Sequence, residues 1–147
     1  MKKILMKDAE QFRDTVPAKL CNCLYDACNE VLFEFTTPIM FSVHMNLRSE
    51  QDFFQLIKFK QLHICYMVYV VEKLISPSAL GKEWSSLFLK RCGISQTYYK
   101  SHRLDDARSD VPANIEFREN IDKAIKIWEE MRRATRSNLY PQIGIES

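Results

Sequence analysis

The apolar positions of this chain change period along its length, and each change marks an element. Leu20, Leu24, Cys28, Val31 and Phe35 recur three to four residues apart, with Asn22, Asp26, Asn29 and Glu30 among them. That spacing puts one apolar stripe on a helix. Pro17 suits its first turn, where a missing N–H is tolerated, and residues 8–15 allow a short helix before it. Between 36 and 47 the period falls to two: Ile39, Phe41, Val43, Met45 and Leu47 alternate with Met40, Ser42, His44 and Asn46. That alternation predicts a strand. Phe33-Glu34-Phe35, a second copy or a partner would supply the backbone hydrogen bonds that a lone strand lacks. A helix broken near Pro38 is the competing expectation.

Ser49, Glu50 and Asp52 then read as a helix start, with a capping hydroxyl and acids near the positive end of the dipole. The predicted central helix spans 49–75. Phe53, Ile57, Lys60, Ile64, Val68, Val71 and Ile75 mark one face, widened by Phe54, Leu62, Cys65, Tyr69 and Leu74. From Leu62 to Val71 nearly every position is apolar or aromatic, which places this helix at the centre of the fold or in an interface. The β-branched content of 64–71 also permits a buried strand there. Ser76-Pro77 closes the element. Asp110 and Pro112 read as the cap and first turn of a last helix over 112–136. Its apolar face is Phe117, Ile121, Ala124, Ile125, Trp128 and Met131. Glu119–Lys123, Asp122–Lys126 and Glu129–Arg133 pair one turn apart on its wet side.

The expected fold class is therefore mainly α. It is a compact multi-helix domain over residues 1–137, with one short β-strand or hairpin near residues 33–47 and a loosely packed tail over 138–147. Three glycines leave little room for extra turns. The 147 residues suit one domain. A hydrophobic share of 46%, with nine Phe, supports a real core rather than disorder.

A net charge of +2 neither demands nor excludes a polyanionic partner. The placement of the charges says more. Asp8, Glu10, Asp14, Asp26, Glu30 and Glu34 outweigh Arg13 and Lys19 early in the chain. Lys82, Lys90, Arg91, Lys100, Arg103 and Arg108 outweigh Glu83, Asp105 and Asp106 later. One acidic and one basic side are expected. The early Ile4-Leu5-Met6 stretch is too short for a secretion signal, and the apolar run from Ile64 to Val71 is too short to cross a bilayer. A cytoplasmic location without membrane contact is the expectation. Five cysteines, an odd number, read as free thiols.

Residues 84–104 carry the most specific pattern. An apolar segment with Trp84, Leu87, Phe88 and Leu89 leads to Cys92-Gly93-Ile94-Ser95, and then to Gln96-Thr97-Tyr98-Tyr99-Lys100-Ser101-His102-Arg103-Leu104. Gly93 can take the conformation a tight turn demands, and Ser95 can cap a second helix. Phe88, Cys92, Ile94 and Tyr99 fall at interior positions. This segment resembles the helix-turn-helix DNA-binding motif, with Gly93-Ile94-Ser95 at its usual turn. The resemblance implies that Gln96, Thr97, Tyr98, Lys100 and Ser101 face a groove, with Arg91 and Arg103 on the backbone. Two positions depart from it. Leu89 stands where a small residue is usual, and His102 where an apolar one is.

Recognisable catalytic or metal spacing is absent from the sequence. Cys21 and Cys23 lack the spacing of a zinc knuckle, and His44, His63 and His102 have no motif partner. His63, inside an apolar stretch, is expected to be buried and hydrogen-bonded. Lys100, His102, Arg103, Asp105 and Asp106 form the one close acid–base cluster, equally well explained as a solvated link. No cofactor or metal is expected. The functional expectation is a non-enzymatic regulator, inhibitor or adaptor that binds a partner protein through Arg91, Gln96, Thr97, Tyr98, Lys100 and Arg103. Arg132, Arg133 and Arg136 form a second basic patch. Duplex DNA is the alternative partner, and self-association is compatible with both. A small enzyme acting on a phosphorylated substrate through the 91–106 cluster is a third reading.

Overall fold

The computed structural model describes residues 14–48 and 54–140, with side chains through 134. The chain is mainly helical: α1 (Ala18–Cys28), α2 (Pro38–Met45), α3 (Gln61–Glu72), α4 (Ser78–Arg91), α5 (Gln96–His102), α6 (Asp105–Arg108) and α7 (Pro112–Tyr140). The expected helix at 8–15 and the expected cap at Ser49 to Asp52 lie outside or largely outside the described residues.

Helix α1 starts one residue after Pro17, whose extended backbone places it at the cap rather than in the first turn. Its predicted stripe holds as far as Cys28. Asn29 then turns extended, and Glu30 takes a left-handed φ of 63°. The reversal leaves Phe35 outside the helix and exposed.

The predicted strand over 39–47 is instead helix α2. Thr37 accepts a hydrogen bond from the Met40 amide and Pro38 fills the first helical position, which together make a strong helix start. Phe41, His44 and Met45 are the buried positions, at helical spacing. The period-two pattern failed because Ile39 and Met40, both apolar, face solvent. Extended pairing occurs earlier, where Phe33 bridges Leu56. Glu34 N–H donates to the Gln55 carbonyl at 2.8 Å, and Ile57 N–H to that of Leu32 at 2.9 Å.

That pairing also shortens the central helix. Residues 54–60 are non-helical, Phe59 sits at φ 63°, and α3 begins only at Gln61. From there α3 is the fold's axis, with Ile64, Cys65, Tyr66, Met67, Val68 and Val71 buried. Helices α4, α6 and α7 pack around it, and α1 lies along α7. Phe33 and Phe54 stack at 3.7 Å, and Phe41, Phe88 and Trp84 continue the aromatic core. Burying each such ring stabilises by roughly 1.5–3 kcal/mol.

Buried polar groups in this region work as ties. Asn46 accepts from the Val16 amide at 2.7 Å and donates back to the Val16 carbonyl at 2.9 Å. Trp84 donates its indole N–H to the Met45 carbonyl at 2.7 Å. The end of α2 is thereby fixed to the segment just before α1 and to α4. No helix among the described residues is long and apolar enough to cross a membrane.

Candidate functional site

The helix-turn-helix-like segment forms a helical corner. Helix α4 ends at Arg91, Gly93 adopts φ 74°, and the Ser95 hydroxyl accepts from the Tyr98 amide at 3.1 Å to start α5. Ile94 and Tyr99 are buried as expected, and so is Leu89. Tyr99 fits beside the packed core by reaching past it, donating its hydroxyl to Glu72 Oε1 at 2.8 Å.

The predicted binding residues divide into two groups. Gln96, Thr97, Lys100 and Ser101 are exposed on α5. Gln96 donates across the corner to the Ser86 hydroxyl at 3.3 Å. Tyr98, Arg91 and Arg103 are half-buried. Tyr98 lies against His102 with ring centres 4.4 Å apart. Arg103 sits over the Tyr69 ring at 5.0 Å and the Tyr99 ring at 5.3 Å. The corner therefore presents short polar and cationic side chains, while its aromatic anchors are partly committed to the protein. In the second basic patch, Arg132 lies 4.6 Å from the Trp128 ring centre and Arg133 is exposed. The side chain of Arg136 lies outside the described residues.

The 100–106 cluster splits as well. His102 Nδ1 and Asp105 Oδ2 are 2.7 Å apart at the partly exposed surface. Asp106 turns inward and is completely buried, with its Oδ2 at 2.6 Å from His63 Nδ1. The expectation that Asp105-Asp106 is a solvated link is thus wrong for Asp106. Helix α6 turns one carboxylate out and the next one in. The His63 ring stacks on Phe117 at 4.3 Å, and Arg118 caps the Asp106 and Ala107 carbonyls. His63 is buried and hydrogen-bonded, as its apolar setting implied.

All five cysteines are free thiols. Burial pushes Cys21, Cys65 and Cys92 up to about 12, and raises Cys28 further. These thiols are neutral at physiological pH, which makes them poor nucleophiles. Cys23 is the more open one, yet burial raises it too.

Sequence reasoning missed an apolar corner. Phe35 is 69% exposed, Ile39 77% and Met40 38%. The backbone between them is pinned: the Thr36 amide donates to Asn29 Oδ1 at 2.8 Å, and the Tyr25 hydroxyl donates to the Thr36 carbonyl. Hydrophobic pattern alone assigned Phe35 and Ile39 to buried faces, so it held no signal for this surface. No protein-family model, curated protein or solved structure matches the chain.

Proposed function

We propose that this protein works by binding a partner protein, as a regulator, inhibitor or adaptor, rather than by catalysing a reaction. The observation that carries this reading is the apolar corner of Phe35, Ile39 and Met40, held open to solvent on a hydrogen-bonded backbone. Three exposed apolar side chains within six residues of chain offer a candidate interaction site, and a pinned backbone loses little entropy on binding. The chemistry-bearing groups are consistent with it. His63 and Asp106 are buried and paired through Nδ1 and Oδ2, and the buried thiols are neutral. The exposed face of α5, with Gln96, Thr97 and Lys100, offers a second, polar contact region.

The test uses cross-linking in native extract followed by mass spectrometry, with the wild type and Ile39→Asp. A burial-driven interface should lose its cross-linked partner by at least about tenfold, the equivalent of one buried aliphatic side chain. The circular dichroism spectrum should be unchanged, because Ile39 is exposed. Equal cross-linking by the two proteins would remove the corner from the interface and this reading with it.

Duplex DNA is the second reading, favoured by one observation: the Gly93-to-Ser95 turn leads into a capped helix with Lys100 outward. Fluorescence anisotropy of a mixed duplex at two salt concentrations separates the two. DNA binding should weaken steeply with salt, and Lys100→Ala should reduce the slope by about one. Absence of binding at low salt would dismiss this reading.

A further inference from the structure

Helix α7 outlasts the body it packs on. Its buried side chains are Phe117, Ile121, Ala124 and Trp128, and every residue from Glu130 to Ala134 is exposed. The helix nonetheless runs on for twelve residues past Trp128, to Tyr140. That makes about 18 Å of helix, a length that is marginal in water without a packed face. One stripe runs along this helix into the overhang. Asn120, Ala124, Ile127, Met131, Ala134 and Asn138 follow each other at alternating steps of four and three, the spacing of a two-helix seam. Ile127 is 42% exposed and Met131 39%. Asn120, Ala124 and Ile127 also line a groove of about 380 Å³ between α1 and α7, whose α1 wall carries Cys23, Asp26 and Ala27. At the end of that wall Met131 Sδ lies 4.0 Å from Cys23 Sγ.

The stripe has the same order from either end. Asparagine, alanine and a large apolar residue are followed by a large apolar residue, alanine and asparagine, and the steps are symmetric too. Such a stripe suits an antiparallel pair about a two-fold axis, where one patch must complement itself. With the axis level with Glu129, Ala124 meets Ala134, Ile127 meets Met131, and position 120 comes level with position 138.

We propose that the protein forms a homodimer in which α7 of each copy lies antiparallel in the α1–α7 groove of the other. Alanines at 124 and 134, with Ala27 on the groove wall, let the helices approach closely, and Ile127 and Met131 fill the centre. The seam over residues 120–138 is roughly 28 Å long. With both grooves filled at once, it buries on the order of 1,000 Å² in total, enough for a specific interface. Lys126 of one copy and Glu130 of the other, both exposed beside the seam, come within two positions of each other along the axis. That opposition of charge favours the register. The dimer uses residues other than the apolar corner and does not depend on the protein-binding reading.

Sedimentation velocity of the intact chain tests the proposal. The wild type is expected to be a concentration-dependent dimer. Ile127→Lys and Met131→Glu should each weaken it by at least about tenfold, because each places an unpaired charge in the seam. The circular dichroism of both should be unchanged, since both side chains are exposed in the single copy. An equimolar mixture of the two variants should dimerise again, because the antiparallel register sets the new cation against the new anion. A parallel pair would set position 127 against itself and give no rescue. Ile39→Asp should leave the dimer as it is. A wild type that stays monomeric up to its solubility limit, a variant that dimerises as the wild type does, or a mixture without rescue would overturn the proposal.

Discussion

His63 shows how a side chain far from any recognised motif can hold a fold together. Its Nδ1 meets Asp106 across 43 residues of chain, in a place where Asp106 Oδ1 has no further partner among the described residues. A buried polar group without a partner is destabilising by far more than a made hydrogen bond stabilises. Asp106→Leu is therefore expected to lower stability by about 2–3 kcal/mol, by stranding the imidazole. Pairing it with His63→Phe should recover part of that loss, because both polar groups then leave together. Urea unfolding of the single and double variants measures this, and a single-variant loss under about 1 kcal/mol would deny the pair its structural role. Half of this arrangement was legible: an imidazole inside an apolar run needs a partner. The identity of Asp106 was not, because two adjacent aspartates look alike until a helix turns one of them inward.

At the scale of elements, two glycines carry different constraints. Gly81 lies where α4 approaches the end of α3. A Cβ there would stand 2.8 Å from the Glu72 carbonyl oxygen and 3.4 Å from Ile75 Cβ. Gly93 has open space around it but a φ of 74°. Gly81→Ala should destabilise by about 1–3 kcal/mol through overpacking, although alanine favours a helix. Gly93→Ala should lose about 1 kcal/mol through backbone strain alone. Ser95→Ala should lose about 1 kcal/mol by removing the α5 cap. Thermal unfolding of the three variants ranks them, and a gain in stability for Gly81→Ala would refute the close approach. The positive φ at Gly93 and the Ser95 cap were readable from residue type. The Gly81 contact was not, since it depends on where α3 ends. The strand expected at 39–47 failed for a related reason. Thr37 and Pro38 make a local helix start, and the alternation beyond them counted side chains that prove to be exposed.

For the molecule as a whole, the buried thiols and phenols set a limit at high pH. Cys21, Cys65 and Cys92 rise from 9.0 to about 12 through burial. Burial also raises Cys28, Tyr66 and Tyr99, the two phenols further through hydrogen bonds to Asp122 and Glu72. In the unfolded chain the thiols lose their protons near 9.0, while the folded chain keeps them. The folded state then binds more protons, so stability falls as pH rises through that window. The urea midpoint should be nearly the same at pH 7 and 8 and clearly lower at pH 10, where the unfolded phenols also begin to ionise. An unchanged midpoint at pH 10 would mean that these groups reach solvent in the native state.

At this same scale, the division between sequence and tertiary structure follows the range of the forces involved. The helical character of α1, α3 and α7, the Gly93-to-Ser95 corner and the burial of His63 were determined by residues within a few positions of each other. Local spacing, capping and hydrophobicity act over one or two turns. What covers each surface was decided only by packing. Pairing of 32–34 with 55–57 made α3 start late, and the turn after α1 left Phe35 in solvent. Convergence of α3 and α5 brought Lys73 and Arg103 to one tyrosine ring. Contacts of that kind join residues tens of positions apart, and no periodicity in the chain encodes them.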